Sequence, residues 1–203
     1  MDETLCKIIF FTGLFIVEII RFPHRLRVSR YRKDKKIQES RIDKGESVLL
    51  TIGFIGMWLV PLIYIFSSWI DWADYSLPWE AGWIGTFLFI CVIGIIWKAH
   101  ADLGKNWSPS LEINEGQQLV TTGIYRYVRH PIYLAVWLQT LAQCLLLQNW
   151  IAGWAGIATF LPVYVIRVPR EEKMLLDLFG NRYKTYMKKT GRILPSWRRL
   201  LKK

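Results

Sequence analysis

Residues 132–166 read IYLAVWLQTLAQCLLLQNWIAGWAGIATFLPVYVI, two runs without a single charged side chain, joined only by the polar pair Gln148 and Asn149. At 1.5 Å rise per residue each run is about 25 Å long as a helix, close to the roughly 30 Å of a bilayer's hydrocarbon core. The pattern predicts a tight helical hairpin in a membrane. Working outward, Ala81–Trp97 predicts another span, with Gly82, Gly85 and Gly94 allowing close helix contact. Ser47–Ile70 predicts one with Pro61 inside it. Leu5–Ile20 predicts a fifth, with Lys7 and Glu18 near its ends, where long side chains reach back to the interface. The expected fold class is therefore an all-α integral membrane protein of five transmembrane helices.

The remaining composition has to be reconciled with these runs. Of 203 residues, 52% are hydrophobic and 15% aromatic, yet the formal net charge is +11. The apolar content excludes disorder, and a nucleic-acid-binding domain would explain the charge but not the apolar runs. The cations are sorted instead: segments 21–46, 98–131 and 167–203 carry 10, 4 and 12 Lys and Arg, leaving only Lys7 elsewhere. Alternation through five spans puts these segments on one side, so the positive-inside bias predicts the N-terminus outside and the C-terminus cytoplasmic. Asp2 and Glu3 stand where a cleaved signal would carry positive charge, and the terminal RLLKK is not a prenylation box. Cys6, Cys91 and Cys144 are far apart in apolar surroundings and read as packing residues, with neither a disulfide framework nor a metal site expected.

The polar residues with chemical reach fall on the predicted cytoplasmic side. In GIYRYVRHPIY (123–133), Pro131 is placed as the first helical residue, and the free N–H groups after it form an anion site. His130 could add a donor there, or serve simply as a cap. Arg167 and Glu171 stand four apart and can be an exposed pair worth a few tenths of a kcal/mol; alternatively Glu171 binds a cation while Arg167 holds a carboxylate. His100 and Asp102 read as surface residues of a helix end, and His24 as a solvated residue of the polybasic link. Met174, Leu175, Leu178 and Phe179 recur at helical spacing, which predicts a C-terminal interfacial amphipathic helix. No nucleotide-binding loop or metalloprotease pattern is present.

The succession LGKNWS (103–108), SLEINEG (110–116), QLVTTGIYRYVRHPIY (118–133), a two-span hairpin and RVPREEKMLLDLFGNRYKTYMKKTGRILP (167–195) resembles the isoprenylcysteine carboxyl methyltransferase family, membrane enzymes related to phospholipid methyltransferases. The resemblance covers about half the chain. It implies S-adenosylmethionine (AdoMet) as cofactor, and methyl transfer to the α-carboxylate of a C-terminal prenylated cysteine or a similar lipophilic carboxylate. By the same resemblance His130, Pro131, Ile132 and Tyr133 should hold the cofactor's methionine end, and Gln117, Gln118, Leu119, Val120 and Tyr125 its adenosyl part. Glu112 should be a further contact, Glu171 should meet the cofactor's amino group, and Arg167 the substrate carboxylate. Human-type members have His-Thr where this chain has Gln117-Gln118, so a contact there would run through the backbone. The implied organisation is an N-terminal part, 1–97, with a polybasic link over 21–46, and a catalytic part, 98–203, containing the hairpin 132–166. The implied partners are a lipophilic substrate and membrane lipid, with no nucleic acid and no metal. Three rivals share some of these features: a phospholipid or isoprenoid-lipid methyltransferase of the same architecture, a membrane sterol reductase, and a polybasic membrane-anchored interaction protein.

Overall fold

The structure, a computed structural model, describes residues 1–34, 37–41, 43–108 and 110–196. The chain builds α1 (Glu3–Lys33), β1 (Ile37–Ser40), α2 (Lys44–Phe54), α3 (Val60–Phe66), α4 (Glu80–Leu103), β2 (Glu112–Asn114), α5 (Pro131–Leu147), α6 (Ala152–Phe179) and α7 (Asn181–Lys189). A widened π-type turn, Ile55–Leu59, makes α2 and α3 one continuous rod. Among the described residues three helical stretches are long and apolar enough to cross a membrane: Lys44–Phe66, Glu80–Asn106 and Ala152–Phe179; Pro131–Leu147 is apolar but shorter.

Contacts at the helix ends give the directions. The Met1 ammonium donates to Trp79 O at 3.3 Å, so α1 and α4 start together. Tyr64, near the end of α3, reaches Glu3 at the start of α1, and Leu146 at the end of α5 packs against Gly85 near the start of α4. Successive rods thus alternate in direction. At one end, the 71–80 and 148–151 connections lock together. Asn149 Nδ2 donates to Ile70 O and to Asp74 Oδ1, both at 2.7 Å, and Trp150 N donates to Ala73 O at 2.8 Å.

The core forms because α1 spaces Cys6, Phe10, Leu14 and Val17 along one stripe, which meets Phe89, Val92 and Ile96 of α4. Phe10 and Phe89 pack edge-to-face with centroids 5.5 Å apart. The outer faces are no less apolar: Phe15, Phe22, Phe54, Phe87 and Ile90 are all exposed. That inverts a water-soluble surface and suits contact with lipid. Gly82 and Gly85 allow close approach, since added methyls there would meet Met1 at 2.6 Å and Leu146 at 2.9 Å. Gly94 does not share this role; nothing lies within 4 Å of its missing side chain.

Two elements depart from the expectation. The polybasic link begins as helix, because α1 runs through Pro23 to Lys33, where Arg30, Arg32 and Lys33 complement the dipole of its last turn. The amphipathic segment after residue 166 is not a separate interfacial helix either. It is the end of α6, and its buried Met174 packs, with Leu178, on Leu111 and Ile113. Ile113 belongs to β2, which pairs antiparallel with β1. A two-stranded ribbon therefore covers the apolar face that was expected to meet lipid.

Candidate active site

A cavity of about 300 Å³ opens at the end of the bundle opposite the 71–80 connection. All twelve residues singled out in the sequence line it: Glu112, Gln117, Gln118, Leu119, Val120, Tyr125, His130, Pro131, Ile132, Tyr133, Arg167 and Glu171. They come from the loop after α4, the start of α5 and the far half of α6. Phe54, Met57 and Trp58 of the α2–α3 rod supply an apolar wall.

The loop is held in place residue by residue. Asn106 Oδ1 accepts from Gln118 N at 2.7 Å, and Asp102 Oδ2 accepts from Ile124 N at 2.7 Å. Asp102 also presses on Gly123, whose φ of +59° and lack of a side chain the contact requires. Asp102 is thus an anchor of the loop rather than a surface residue. His100 likewise is fully buried, its ring 4.7 Å from that of His24 and 4.8 Å from Trp107. His24 is only partly solvated: its Nδ1 is sealed off without a hydrogen-bond partner, and burial, then the Arg27 charge, lowers its pKa.

Pro131 is the first residue of α5 and His130 precedes it, with no capping bond from the His130 side chain. That side chain instead meets two acids of α6, with Nε2 3.3 Å from Glu172 Oε1 and Nδ1 3.7 Å from Glu171 Oε1. Tyr133 donates its hydroxyl to Glu171 Oε2 at 2.9 Å, leaving Glu171 partly open to the cavity. Tyr125 is deeply buried; desolvation first, then the Glu171 charge, holds its phenol protonated far above the usual range. Glu112 lines the cavity, but its carboxylate already accepts from Arg32 Nε at 3.0 Å and Nη2 at 2.9 Å, and from Ser110 Oγ at 3.1 Å.

Arg167 and Glu171 do not simply form an exposed pair. Arg167 Nε lies 3.1 Å from Oε1 of Glu46, a carboxylate with no solvent exposure. The guanidinium N–H is not aimed at that oxygen, so the contact is an ion pair by proximity rather than an aligned hydrogen bond. Glu46 went unnoticed in the polybasic link, although Asp43-Lys-Gly-Glu46 is a helix-start pattern. Asp43 caps α2 by accepting from Glu46 N at 2.6 Å.

Glu172, which stands beside Glu171 in the same cluster with no role expected of it, is a hub. It accepts from Arg129 Nε and Nη2 at 3.1 Å, and from Arg192 Nη2 at 2.6 Å; this pairing raises the Arg192 pKa. Arg129 N and His130 N donate to Gly191 O and Arg192 O, both at 2.9 Å, so the GRILP segment buttresses the His130-Pro131 corner. Two arginines of α1 also reach the cavity. Arg25 pairs with Glu18 at 2.7 Å. The Arg21 Nε is buried without a hydrogen-bond partner, and burial, with the charges of Arg25 and Arg167 outweighing Glu18, lowers its pKa to about 10.

Comparison with known proteins agrees with the motif order. Residues 83–177 match the model of the isoprenylcysteine carboxyl methyltransferase (ICMT) family. The chain is 31% identical over 147 residues to a protein-S-isoprenylcysteine O-methyltransferase of Dictyostelium discoideum, covering 66% of this chain and 58% of that protein. It is 26% identical over 154 residues to protein-S-isoprenylcysteine O-methyltransferase A of Arabidopsis thaliana, covering 73% and 77%. It is also 29% identical over 126 residues to methanethiol S-methyltransferase 1 of Bradyrhizobium diazoefficiens, covering 59% and 40%. The chain spans about half the length of most of the curated relatives it matches. Residues 83–177, which hold the α4 span, the anchored loop, the His130-Pro131 corner and the Arg167/Glu171 turn of α6, are thus the part of the chain that is similar to the isoprenylcysteine carboxyl methyltransferase family.

Proposed function

We propose that the protein is an AdoMet-dependent methyltransferase that esterifies a lipophilic carboxylate, in the first instance the α-carboxylate of a C-terminal prenylated cysteine. One observation carries the reading: a single cavity joins the Glu171–Tyr133–His130 cluster, Arg167 and an apolar wall of Phe54, Met57 and Trp58. It has the chemistry for a polar zwitterion and for a lipid chain at once.

The residues fit the cofactor. Glu171, fixed by the Tyr133 hydroxyl and partly open, suits an ammonium. The first-turn N–H groups of Ile132 and Tyr133 have no partner within α5 by helix geometry and suit a carboxylate. Leu119, Val120 and Tyr125 offer apolar and aromatic surface for an adenine, while Gln118 is tied through its backbone to Asn106. When bound, AdoMet supplies an electrophilic methyl group on a sulfonium centre.

A carboxylate is ionised at neutral pH, so no residue has to remove a proton from it. The task left to the chain is alignment and exclusion of water. Arg167 orients the carboxylate, and Glu46 beside it offsets much of the arginine's charge, so the pairing does not quench the nucleophile. Glu112 supports the site rather than touching the cofactor through a free oxygen, since Arg32 and Ser110 occupy its carboxylate. In this reading the chain has five spans with the N-terminus outside and the cavity facing the cytoplasm. Residues 98–203 form the catalytic part, and 1–97 the part that brings α1 and α2 against it.

Purified protein given methyl-labelled AdoMet with N-acetyl-farnesylcysteine, phosphatidylethanolamine or methanethiol tests the reading. Base-labile label on the prenylcysteine is expected, with Arg167→Ala removing turnover while AdoMet binding persists, and Glu171→Ala removing both. Absence of AdoMet binding by calorimetry would reject the proposal; label on the amine or thiol alone would move it to another acceptor.

A further inference from the structure

Each acid near the cavity already answers a cation or donor. Glu18 pairs with Arg25, Glu46 with Arg167, Glu112 with Arg32, and Glu171 with Tyr133 and His130. Among the described residues this leaves Arg21, which lines the cavity, makes no ion pair, and has its Nε sealed from solvent without a hydrogen-bond partner. Its electrostatic neighbours are unfavourable on balance: Glu18 helps, but Arg25 and Arg167 repel it. A guanidinium stays charged at neutral pH, so it cannot relieve this by losing its proton. Burying a cation among like charges is unfavourable unless an anion arrives to pair with it.

We propose that Arg21 is the docking residue for the anionic headgroup of the acceptor substrate, its carboxylate, and that this residue makes the site select lipophilic acids over neutral or cationic lipids. The proposal rests on the methyltransferase reading and sharpens its substrate class. Arg167, which orients the carboxylate for transfer, has Glu46 beside it to offset its charge, so the net positive charge that draws the acid into the cavity sits at Arg21. Arg21 belongs to α1, outside the segment that matches the family model. An amine or ammonium headgroup would meet repulsion there, and a thiol would gain nothing from the charge. A phospholipid phosphate carries the same chemistry as a carboxylate, so the test separates the two.

The full chain, reconstituted in phosphatidylcholine nanodiscs, is titrated with N-acetyl-farnesylcysteine and with its carboxamide, and AdoMet is titrated separately by calorimetry. Wild-type protein is expected to bind the acid at least about tenfold more tightly than the amide, in keeping with a charge-assisted pair. Arg21→Gln should bring the two affinities together without changing AdoMet affinity, and Arg21→Lys should restore part of the preference. Arg21→Gln should also melt at a higher temperature than the ligand-free wild type, because it removes an uncompensated cation; a structural role would lower the melting temperature instead. The proposal is overturned if the wild type does not discriminate acid from amide, or if Arg21→Gln keeps the preference. It is equally overturned if that variant weakens both ligands alike with a lower melting temperature, or weakens AdoMet. Dependence on Arg21 of phosphatidylglycerol binding, but not of acid binding, would assign the residue to a lipid phosphate and overturn the substrate assignment. Wild-type protein that shows the acid preference yet binds no AdoMet would sink the methyltransferase reading while leaving the anion site standing.

Discussion

Glu172 and Glu171 are adjacent, yet their surroundings divide their work. Glu172 is 4% exposed and holds Arg129, Arg192 and His130, whereas Glu171 holds a tyrosine hydroxyl and looks into the cavity. Substituting Glu172→Gln strips the negative charge from a site where the Arg129 side chain is only 9% exposed. Such loss of one partner of a buried pair destabilises by about 3 kcal/mol. The expected result is a clear drop in melting temperature in detergent, with the isosteric Glu171→Gln nearly neutral for stability and damaging to AdoMet affinity. Motif order singled out Glu171 as a candidate contact, and the structure brings it to the cavity, while Glu172 stood as an unassigned neighbour. Nothing local to Arg-Glu-Glu tells which carboxylate turns toward residues 129 and 192. Glu46 is the opposite case, because its helix-start pattern with Asp43 was readable, but its pairing with Arg167 is a tertiary fact.

Among the elements, the helices themselves were the most legible, since long uncharged runs leave the backbone no choice but to satisfy its own hydrogen bonds. Their ends were less so. α1 and α6 both continue beyond their apolar runs, because Arg, Leu and Met are good helix formers and polarity alone does not stop a helix. The short ribbon was invisible in advance: β1 and β2 are four and three residues long, and their pairing joins distant segments. The glycines of α4 give a direct comparison of packing against propensity. A methyl at Gly85 would sit 2.9 Å from Leu146, while one at Gly94 meets nothing. Gly94→Ala is therefore expected to be neutral or to stabilise by up to about 1 kcal/mol. Gly85→Ala should destabilise by about 1–3 kcal/mol through overpacking, both read as melting shifts of the purified protein.

At the scale of the whole molecule, the sorted charges and alternating helix directions lead to a topology that can be labelled. Cys6 and Cys144 are buried, so removing Cys91 leaves a background suited to thiol probes. Ser76→Cys and Lys188→Cys, both at exposed positions, are expected to react with impermeant reagents from opposite sides of sealed vesicles, with residue 188 on the cytoplasmic side. Labelling of both from one side would remove the five-span arrangement. α5 has 17 residues, about 25 Å of helix, so the bilayer beside it should be locally thin.

The hydrogen bonds from Arg129 and His130 to the backbone of Gly191 and Arg192 set an order of events. The spans can enter the membrane one after another as they are synthesised, but the His130-Pro131 corner gains its last support only when residue 192 has been made and folded back. On the five-span reading the chain would complete its frame before its candidate site, and a nascent chain stopped short of residue 191 is expected to lack the support of the His130-Pro131 corner.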